Sequence, residues 1–419
     1  MEKIMVEGGR KLQGTINISG AKNAALPIMA ACLLPQEGKT KILNVPMVND
    51  VLTMAKIQDM LGLSVHFSEG CVLIDVSNLN DHMVPLAESK EMRASILLAG
   101  PLLAKFGQVL ITEPGGCVIG NRPIDMHLEV FKAIGAEVKK VDSQYFKIEA
   151  AVLKGNKIRL RFPSVGVTEN LMMASCLARG KTIIENAAKE PEIVDLANFL
   201  ISMGAKIKGH GSSMVKIEGV KELASTEYSI IPDRIETGTY IVATAVTHGN
   251  VFLKNTNLSL LGSIVSKLQE VGVEMEQSDE GVCVASQKLF YPTNVITDVY
   301  PGFPTDMQPI TTILFSIANG ESTIKETIFE KRFNHVRELK KMGANIKVSS
   351  DTLFIKGVKE LRGAQVRARD LRSGASLLLA GLVAEGETMI SGVDHIFRGY
   401  ENPLLKLKNV GAELYCVNQ

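Results

Sequence analysis

Hydrophobic and polar positions repeat one pattern six times along the chain. Each copy contains a run of small apolar residues with almost no polar position, such as ALPIMAACLL, SILLAGPLLA or SLLLAGLVA. A helix that is apolar on every face is typical of a buried core. A glycine follows each run and an alternating strand comes next, as in KFGQVLITE and ARGKTIIEN. The pattern predicts a buried helix and then a half-buried strand in every copy.

A second glycine turn closes an amphipathic segment later in each copy. The turns are MLGLSV, AIGAEV, SMGAKI, EVGVEM, KMGANI and NVGAEL, and they recur roughly every 70 residues, a longer period than in common solenoids. The segment before each turn has helical periodicity, as in IVDLANFLISMGA. The pattern therefore predicts, in each copy, a strand, a buried helix, a second strand, an amphipathic helix and a β-hairpin. The βαβ start implies parallel strands with a right-handed crossover.

Chain length and copy number together predict two domains of an α/β protein. A chain of 419 residues exceeds one ordinary hydrophobic core, and six copies divide into two sets of three. We expect residues 21–230 in one domain and residues 1–20 with 231–419 in the other, so the chain crosses near residues 20 and 231. The first strand pair, VEGGRKLQGTINISG, is expected to pair with the last copy. A stack of such copies can also be a scaffold without chemistry.

Composition narrows the class of partner. The net charge is +1, so no overall field favours nucleic acid or an anionic membrane. The start, MEKIMVEGGRKLQG, lacks the apolar core of a signal peptide, and the apolar runs are too short to span a bilayer. The six cysteines form no CxxC pair, which argues against zinc and against a disulfide framework. We expect a cytoplasmic monomer without metal or cofactor, binding neither nucleic acid nor membrane.

Polar residues stand directly before each buried helix, in SGAKNAA, SKEMRAS, SVGVTEN, PDRIETG, PTDMQP and DLRSGAS. In parallel α/β units ligands gather at this edge of the sheet, where helix N-termini add a partial positive charge. Basic residues occur at these helix starts and in the loops after the second strands, at Lys22, Arg93, Arg122, Arg234, Arg332, Arg372 and Arg398. Together they predict a basic cleft between the domains that suits phosphate and carboxylate groups, although each charge alone is typical of a surface. GxxxxGK[ST], a convincing GxGxxG and HExxH are absent, which favours cofactor-free chemistry on anionic small molecules.

These segments also carry a resemblance to a known family. SGAKNAALP, MRAS, PGGCVIGNRPID, PDRIETGT, FPTDMQ, RFNHV, DLRSGAS and RGYE occur in the order seen in the UDP-N-acetylglucosamine enolpyruvyl transferases, and the whole chain resembles that family. The resemblance implies a two-domain inside-out α/β barrel of six βαβαββ units, shared with EPSP synthase. It implies transfer of the enolpyruvyl group of phosphoenolpyruvate to the 3-hydroxyl of UDP-N-acetylglucosamine, with release of phosphate. That reaction is the first committed step of peptidoglycan synthesis.

The resemblance further implies roles for individual residues. Lys22, Arg122 and Arg398 would hold the phosphate and carboxylate of phosphoenolpyruvate, with Asn23 beside them. Asp306 would accept the hydroxyl proton, and Cys117 would be the catalytic thiol, which can form a covalent adduct with phosphoenolpyruvate. The catalytic set is thus Lys22, Cys117, Asp306 and Arg398. The other expected substrate contacts are Arg93, Pro123, Ile124, Asp125, Met126, His127, Ser164, Val165, Gly166, Ile328, Arg332, Asp370 and Arg372.

Asp306 and Cys117 each have a plain structural alternative. A sugar hydroxyl is a poor nucleophile at neutral pH, so a base such as Asp306 helps, but PTDMQ is also a reasonable helix N-cap. A thiol with a tunable pKa can protonate the methylene carbon, but a lone cysteine is most often an inert small hydrophobe. Gly115 and Gly116 favour a mobile loop around Cys117. The second copy is also longer than its siblings by about four residues, which predicts an insertion in this strand-to-helix loop.

Two rival functions remain open. One is an EPSP-synthase-like transfer to shikimate 3-phosphate, against which the PGGC loop speaks. The other is a catalytically silent duplicate that binds the UDP-sugar as a regulator. Phe162 and Leu97 stand where the family often has a lysine and an aromatic residue on the UDP side, and these differences fit a second, divergent copy of the enzyme. Phosphate release measured with each acceptor separates the three functions.

Overall fold

The chain consists of short strands and helices in the order that the repeat predicts. The structure is a computed structural model, and it describes residues 3–115, 119–120, 122–286 and 289–417. The strands are β1 (Lys3–Glu7), β2 (Gln13–Asn17), β3 (Lys39–Leu43), β4 (Ser64–Ser68), β5 (Cys71–Asp75), β6 (Gln108–Thr112), β7 (Glu137–Lys140), β8 (Tyr145–Glu149), β9 (Lys157–Arg159), β10 (Lys181–Glu185), β11 (Lys206–Lys208), β12 (Met214–Glu218), β13 (Glu227–Ser229), β14 (Asn250–Lys254), β15 (Val273–Gln277), β16 (Gly281–Ser286), β17 (Asn294–Ile296), β18 (Glu321–Lys325), β19 (Asn345–Ser349), β20 (Thr352–Lys356), β21 (Gln365–Arg367), β22 (Glu387–Ser391) and β23 (Glu413–Val417).

The helices alternate with these strands. They are α1 (Lys22–Ala31), α2 (Asn49–Met60), α3 (Leu86–Glu91), α4 (Ala99–Phe106), α5 (Asp125–Ala133), α6 (Val165–Ser175), α7 (Pro191–Ser202), α8 (Arg234–Val246), α9 (Ser263–Val271), α10 (Gln308–Ser316), α11 (Asn334–Lys341), α12 (Leu371–Val383), α13 (Asp394–Phe397) and α14 (Pro403–Asn409). Short 3₁₀ helices lie at Arg93–Leu98, Leu258–Leu260 and Thr305–Met307. Within the described ranges, no helix is both long enough and apolar enough to cross a membrane.

The described strands form six small sheets, one for each copy, numbered here one to six in chain order. In copy three, β9 runs parallel to β10, and β12 and β11 continue the sheet in antiparallel order. Copies one, four, five and six have the same arrangement of one parallel pair followed by two antiparallel pairs. In copy two the sheet is β6-β8-β7, and an isolated parallel bridge between Met83 and Leu110 occupies the place of the parallel pair.

The two N-terminal strands complete two different sheets. β1 pairs with β22 and β23 of copy six, as the sequence predicts. β2 instead runs parallel to β14 of copy four, with Gln13 opposite Asn250, so the prediction that the whole strand pair joins the last copy is wrong for β2. The reason lies in β13, which precedes α8 in the chain but pairs with β3 of copy one. The parallel position beside β14 is therefore left for β2.

The apolar runs form buried helices at the centres of two separate cores. α8 is buried along its whole length and packs against α10 and α12. α6 packs against α4 and against the 3₁₀ helix at Arg93–Leu98 in the same way. Strands such as β12 alternate buried and exposed residues, so each sheet covers the helices with one face and meets solvent with the other. Helices inside and sheets outside form the inside-out arrangement that the resemblance implies.

Residue contacts divide the described chain into two compact units. The Lys22 lobe comprises Gly20–Cys117 and Arg122–Ile231, as far as these are described. The Asp306 lobe comprises the described parts of Met1–Ser19, Val118–Asn121 and Pro232–Gln419. Each lobe has its own hydrophobic core, one drawn from residues 21–230 and the other from residues 4–18 and 235–414. The assignment of these lobes as two domains stays a prediction.

An asparagine ties two strands together where three of the buried helices begin. Asn44, Asn186 and Asn255 directly follow β3, β10 and β14, and their φ angles are 57°, 56° and 60°. Asparagine tolerates this left-handed conformation better than most residues. Each amide nitrogen donates over 2.9 Å to the carbonyl directly after the neighbouring parallel strand, at Ile230, Leu160 and Ile18 respectively. These amides stabilise the sheet edge at which the sequence predicts ligands.

Candidate active site

The polar segments that precede the apolar runs stand at helix starts, as the sequence predicts. Helices begin at Lys22, Arg93, Val165, Arg234, Thr305 and Leu371. Three of these starts lie in the Lys22 lobe and three in the Asp306 lobe. Each start has backbone N–H groups without partners in its own helix, together with a partial positive charge. Each lobe therefore has three helix ends suited to anionic groups.

Lys22 is the first residue of α1 and is held by an acidic partner. Two residues earlier, Gly20 packs so closely on Asn44 that a Cβ there would lie 1.7 Å from the Asn44 carbonyl oxygen. The Lys22 Nζ lies 3.1 Å from Asp50 Oδ2, and the two side chains are only 11% and 8% exposed. A buried ammonium group needs a partner of this kind. Asn23, the next predicted contact, is half-buried in the first turn of α1.

The connection from β6 to α5 carries many of the predicted substrate contacts. It spans residues 113–124, whereas residues 44–48 connect β3 to α2 and residues 186–190 connect β10 to α7. The extra length confirms the predicted place of the insertion. Cys117, the predicted catalytic thiol, lies outside the described residues. Arg93 reaches this connection from its helix start, and its Nη2 donates to the Pro123 carbonyl oxygen over 3.3 Å.

The start of α5 is organised by Asp125. Its Oδ1 accepts a hydrogen bond of 2.9 Å from the backbone N–H of Met126. Its Oδ2 pairs with the guanidinium of Arg161, which holds the pKa of Asp125 below its usual value. Asp125 is about half exposed, so this ion pair contributes little stability. Ile124, directly before it, is buried.

His127 is a buried and uncharged imidazole. Burial lowers its pKa to about 3, and the positive charges of Arg93 and Arg122 act in the same direction. Only Asp125 opposes them. The charges of these predicted contacts therefore act on one another within the Lys22 lobe. The histidine stays neutral through the physiological range of pH.

Asn170 determines which nitrogen of His127 carries the proton. The Asn170 Oδ1 accepts from the Gly100 N–H over 2.8 Å, so its Nδ2 is the atom 3.0 Å from His127 Nδ1. An amide nitrogen only donates, so Nδ1 accepts and the proton sits on Nε2. A Cβ added at Gly166 would lie 3.7 Å from that Nε2. The N–H donor therefore lies beside the first turn of α6, where Ser164, Val165 and Gly166 are the predicted contacts.

Asp306 lies between two buried guanidinium groups of the Asp306 lobe. Arg332 Nη2 is 2.6 Å from Oδ1, while Arg372 Nη2 and Nε are 2.8 and 3.1 Å from Oδ2. The arginine side chains are each 4% exposed and that of Asp306 is 26% exposed. Burial would raise the pKa of Asp306, but the two cations outweigh it and hold the pKa far below its usual value. The N-cap alternative is wrong, because Pro304 occupies the cap position and the carboxylate binds arginines instead.

Arg372 is also held on its other side. Its guanidinium carbon lies 5.2 Å from the ring centre of Tyr400, a cation–π distance. The Tyr400 hydroxyl lies 2.9 Å from Thr239 Oγ1. Asp370 caps α12 by accepting from the backbone N–H groups of Arg372 and Ser373 over 3.1 and 2.9 Å. Asp370 thus has a structural role beside its predicted substrate contact.

Glu326 connects further predicted residues of the same lobe. Its buried carboxylate accepts from Thr305 Oγ1 over 2.8 Å and from the backbone N–H groups of Ile328 and Phe329 over 2.9 and 3.1 Å. The Thr305 hydroxyl in turn accepts from Arg332 Nη1 over 3.0 Å. The N–H of Ile328, whose backbone is a predicted sugar contact, is therefore already engaged within the lobe.

The predicted residues thus form two groups, one in each lobe. Lys22, Arg93, Arg122 and His127 belong to the Lys22 lobe. Asp306, Arg332, Asp370 and Arg372 belong to the Asp306 lobe, and so does Arg398, which directly follows α13 and lies two residues before Tyr400. Whether the two groups bind one substrate pair stays a prediction.

Sequence reasoning missed the residues that hold these groups in place, namely Asp50, Asn170, Glu326 and Tyr400. Asn170 and Tyr400 stand inside the quoted segments SVGVTEN and RGYE, where a closer reading could have found them. The links from Asp50 to Lys22 and from Glu326 to Thr305 have no local signal, because these partners lie 28 and 21 positions away. Among the described residues, no three His, Cys, Asp or Glu side chains are placed to hold a metal ion.

Solved structures with similar folds include the enolpyruvyl transferase NikO from Streptomyces tendae. It superposes with a TM-score of 0.91 at 22% sequence identity, covering 100% of this chain and 99% of that one. An EPSP synthase from Acinetobacter baumannii superposes with a TM-score of 0.78 at 18% identity, covering both chains in full. At these identities the likeness shows the fold alone, and it confirms the predicted fold class.

Sequence comparisons show the family. Residues 6–407 match the family model of EPSP synthase (3-phosphoshikimate 1-carboxyvinyltransferase). The chain is 44% identical over 420 residues to UDP-N-acetylglucosamine 1-carboxyvinyltransferase 1 of Staphylococcus aureus, and 45% identical over 421 residues to that of Staphylococcus epidermidis. Both alignments cover 100% of each chain. The chain therefore belongs to the EPSP synthase family of transferases and, within it, to the UDP-N-acetylglucosamine 1-carboxyvinyltransferases.

Proposed function

We propose that this protein transfers the enolpyruvyl group of phosphoenolpyruvate to the 3-hydroxyl of UDP-N-acetylglucosamine and releases phosphate, the first committed step of peptidoglycan synthesis. The observation that carries the proposal is the Asp306 carboxylate, ionised at a helix start between Arg332 and Arg372. A carboxylate there can accept a hydroxyl proton, and the guanidinium groups can stabilise charge on phosphate and carboxylate oxygens. The names of the full-length relatives support the same reaction.

The proposed chemistry is an addition followed by an elimination. The sugar hydroxyl oxygen bonds to the central carbon of phosphoenolpyruvate while its proton passes to Asp306. The Cys117 thiol gives a proton to the methylene carbon, which produces a tetrahedral intermediate. Phosphate then leaves with the electron pair of its carbon–oxygen bond and takes the proton from Asp306. The new methyl group returns one proton to the Cys117 thiolate, which restores the double bond and both catalytic groups.

The two arginines set a condition on this proton transfer. They lower the proton affinity of Asp306, and both of its oxygens already accept hydrogen bonds from them. Oδ2 accepts two of these bonds and Oδ1 accepts only one, whereas each carboxylate oxygen has two lone pairs. We therefore expect the substrate hydroxyl to donate to Oδ1, where one lone pair is left to accept its proton.

The Lys22 lobe would supply most of the binding. Lys22 and Arg122, with Arg398 of the Asp306 lobe, are cations suited to phosphate and carboxylate. His127 contributes differently, because it is a neutral N–H donor whose proton is held on Nε2. Such a donor suits a carbonyl or hydroxyl oxygen of the UDP-sugar. We propose a cytoplasmic monomer of 45.4 kDa as the active form, and light scattering measures its mass in solution.

Phosphate release from phosphoenolpyruvate tests the proposal. We expect release with UDP-N-acetylglucosamine and none with shikimate 3-phosphate. Release with shikimate 3-phosphate alone would establish the EPSP-synthase-like alternative. Absence of release with both acceptors, together with UDP-sugar binding in a calorimetric titration, would establish the silent binding protein. Lys22→Gln serves as a matched variant, since it removes one proposed phosphate contact and should weaken phosphoenolpyruvate binding.

A further inference from the structure

We infer that Glu326 is a positioning residue for the transfer, because it holds Thr305 and, through Thr305, the arginine that contacts Asp306. The inference rests on the proposed function of Asp306 as the proton acceptor. Glu326 does not touch Asp306 itself in the described structure, and the link runs through two side chains, Thr305 and Arg332.

The internal repeat shows that Glu326 departs from a structural rule. It stands directly after β18, at the position that Asn44, Asn186 and Asn255 occupy after the corresponding strands of copies one, three and four. Those amides donate to the carbonyl that follows the neighbouring parallel strand. A carboxylate cannot donate, and Glu326 instead accepts from Thr297, the residue that follows β17, over 2.9 Å. Copy five thus has an acceptor where three sibling copies have a donor.

A buried carboxylate at this position stabilises the fold less than the asparagine amide of the sibling copies would. Glu326 is 4% exposed, and its hydrogen-bond partners among the described residues are two hydroxyl and two backbone N–H groups, all of them neutral. Burying a carboxylate without a cation costs more free energy than burying an amide of the same shape. An asparagine could therefore link the two strands at this sheet edge as it does in the other copies. The presence of a carboxylate requires another explanation.

That explanation is the hydroxyl of Thr305. A hydroxyl has one hydrogen to donate and lone pairs with which to accept. Since the Thr305 hydrogen points to Glu326 Oε2 over 2.8 Å, a lone pair is left for Arg332 Nη1 at 3.0 Å. Arg332 is then held at both terminal nitrogens, by Thr305 at Nη1 and by Asp306 at Nη2. Glu326 therefore determines the orientation of the guanidinium that contacts Asp306.

The same carboxylate also orders the turn on the predicted sugar side. Its Oε1 accepts from the N–H groups of Ile328 and Phe329. Thr297, bonded to that oxygen, in turn accepts from the Thr327 N–H over 2.9 Å. Glu326 thus connects two parts of the proposed site through separate oxygens, Oε2 toward Arg332 and Oε1 toward the turn. This separation allows the two effects to be tested independently.

Glu326→Gln tests the Oε2 link. The amide oxygen can take the place of Oε1, so the turn keeps its acceptor, but the amide NH₂ then faces Thr305 and the hydroxyl hydrogen loses its acceptor. We expect kcat to fall roughly ten- to hundredfold, since misplacing a reacting group by about 1 Å can cost ~10²-fold. We expect KM for the UDP-sugar to stay within about twofold, because the turn is retained.

Thr305 provides the matched variants. Thr305→Val removes the hydroxyl at nearly constant volume and should lower kcat as Glu326→Gln does, whereas Thr305→Ser keeps the hydroxyl and should restore kcat to within about twofold of the parent. The kcat of the double variant Glu326→Gln/Thr305→Val should be no lower than that of either single variant, because both substitutions break the same link between Glu326 and Arg332. Asp195→Asn removes the charge of a buried carboxylate in the Lys22 lobe and should leave kcat unchanged.

The parent protein is assayed first. No phosphate release from the parent with UDP-N-acetylglucosamine would overturn the proposed function. Release from the parent together with an unchanged kcat in Glu326→Gln would overturn the role of Glu326 alone. A rise in KM for the UDP-sugar without a change in kcat would also overturn the role of Glu326, because that result would indicate a role in binding. If Glu326→Gln does not fold, Thr305→Val carries the test, and normal kcat in that variant refutes the link.

Discussion

Replacing Asp306 by asparagine should cost stability as well as turnover. The carboxylate forms salt bridges with both Arg332 and Arg372, whose side chains are each only 4% exposed. An asparagine offers one oxygen, so its NH₂ group must face one of the two guanidinium groups. The variant therefore leaves two buried cations near one another, with one unpaired N–H donor and no negative charge between them. We expect Asp306→Asn to be clearly less stable than the parent, unlike a change at an exposed binding residue.

The size of the loss follows from burial. Removing one partner of a fully buried ion pair costs about 3–5 kcal/mol, whereas an exposed pair contributes about 0–1 kcal/mol. Asp306 is 26% exposed and its partners are nearly inaccessible, so the free energy of unfolding should fall by about 2–3 kcal/mol. At about 2–4 °C per kcal/mol for a lobe of this size, Tm should fall by about 5–10 °C. Turnover should fall by about 10²–10⁴-fold, the usual contribution of a general base.

Calorimetry of the parent and variant near pH 7 measures this difference. Asp142→Asn is the matched control, because Asp142 is exposed and accepts two backbone hydrogen bonds that asparagine can also accept. Its Tm should stay close to that of the parent. Since the pKa of Asp306 is held below its usual 3.8, its contribution is complete above about pH 4 and is lost as the pH falls further. An Asp306→Asn variant as stable as the parent near neutrality would refute the two-arginine account.

Three further predictions concern titration and thiol chemistry. The imidazole NMR signals of His127 should not titrate between about pH 5 and 8, because its pKa is lowered to about 3, and a midpoint near 6.5 would contradict its burial. Burial, aided by Glu192 and Glu190, raises the pKa of Glu169 well above 4.5, so stability should fall as the pH rises through that raised pKa. Glu169→Gln should remove this slope from thermal unfolding curves, and an unchanged slope would show that another group causes it. Cys117→Asp should retain phosphate release, because a carboxylic acid can also donate a proton, yet escape alkylation by an epoxide such as fosfomycin, and undiminished inactivation would point to another target.

Much of the fold could be predicted because its signals are local. A run without polar residues predicts a buried helix whatever surrounds it, and α8 is buried along its whole length. Polar segments such as PDRIETG mark helix starts through capping, and Asp233 accepts from the N–H groups of Ile235 and Glu236. The strand pairing was harder to predict, because β2 and β13 each precede a buried helix and either could fill the position beside β14.

The roles of particular polar side chains depended on tertiary structure. The sequence by itself determined that Asp306 stands at a helix start and that basic residues stand at related positions in other copies. Only the folded chain brought Arg332 and Arg372 to that carboxylate, from 26 and 66 positions away, and so replaced a helix cap by a pair of salt bridges. The neutral state of His127 and the acceptor role of Glu326 were decided in the same way. Periodicity and capping act over one or two turns of chain, whereas the charge and orientation of a buried group depend on residues that only folding brings together.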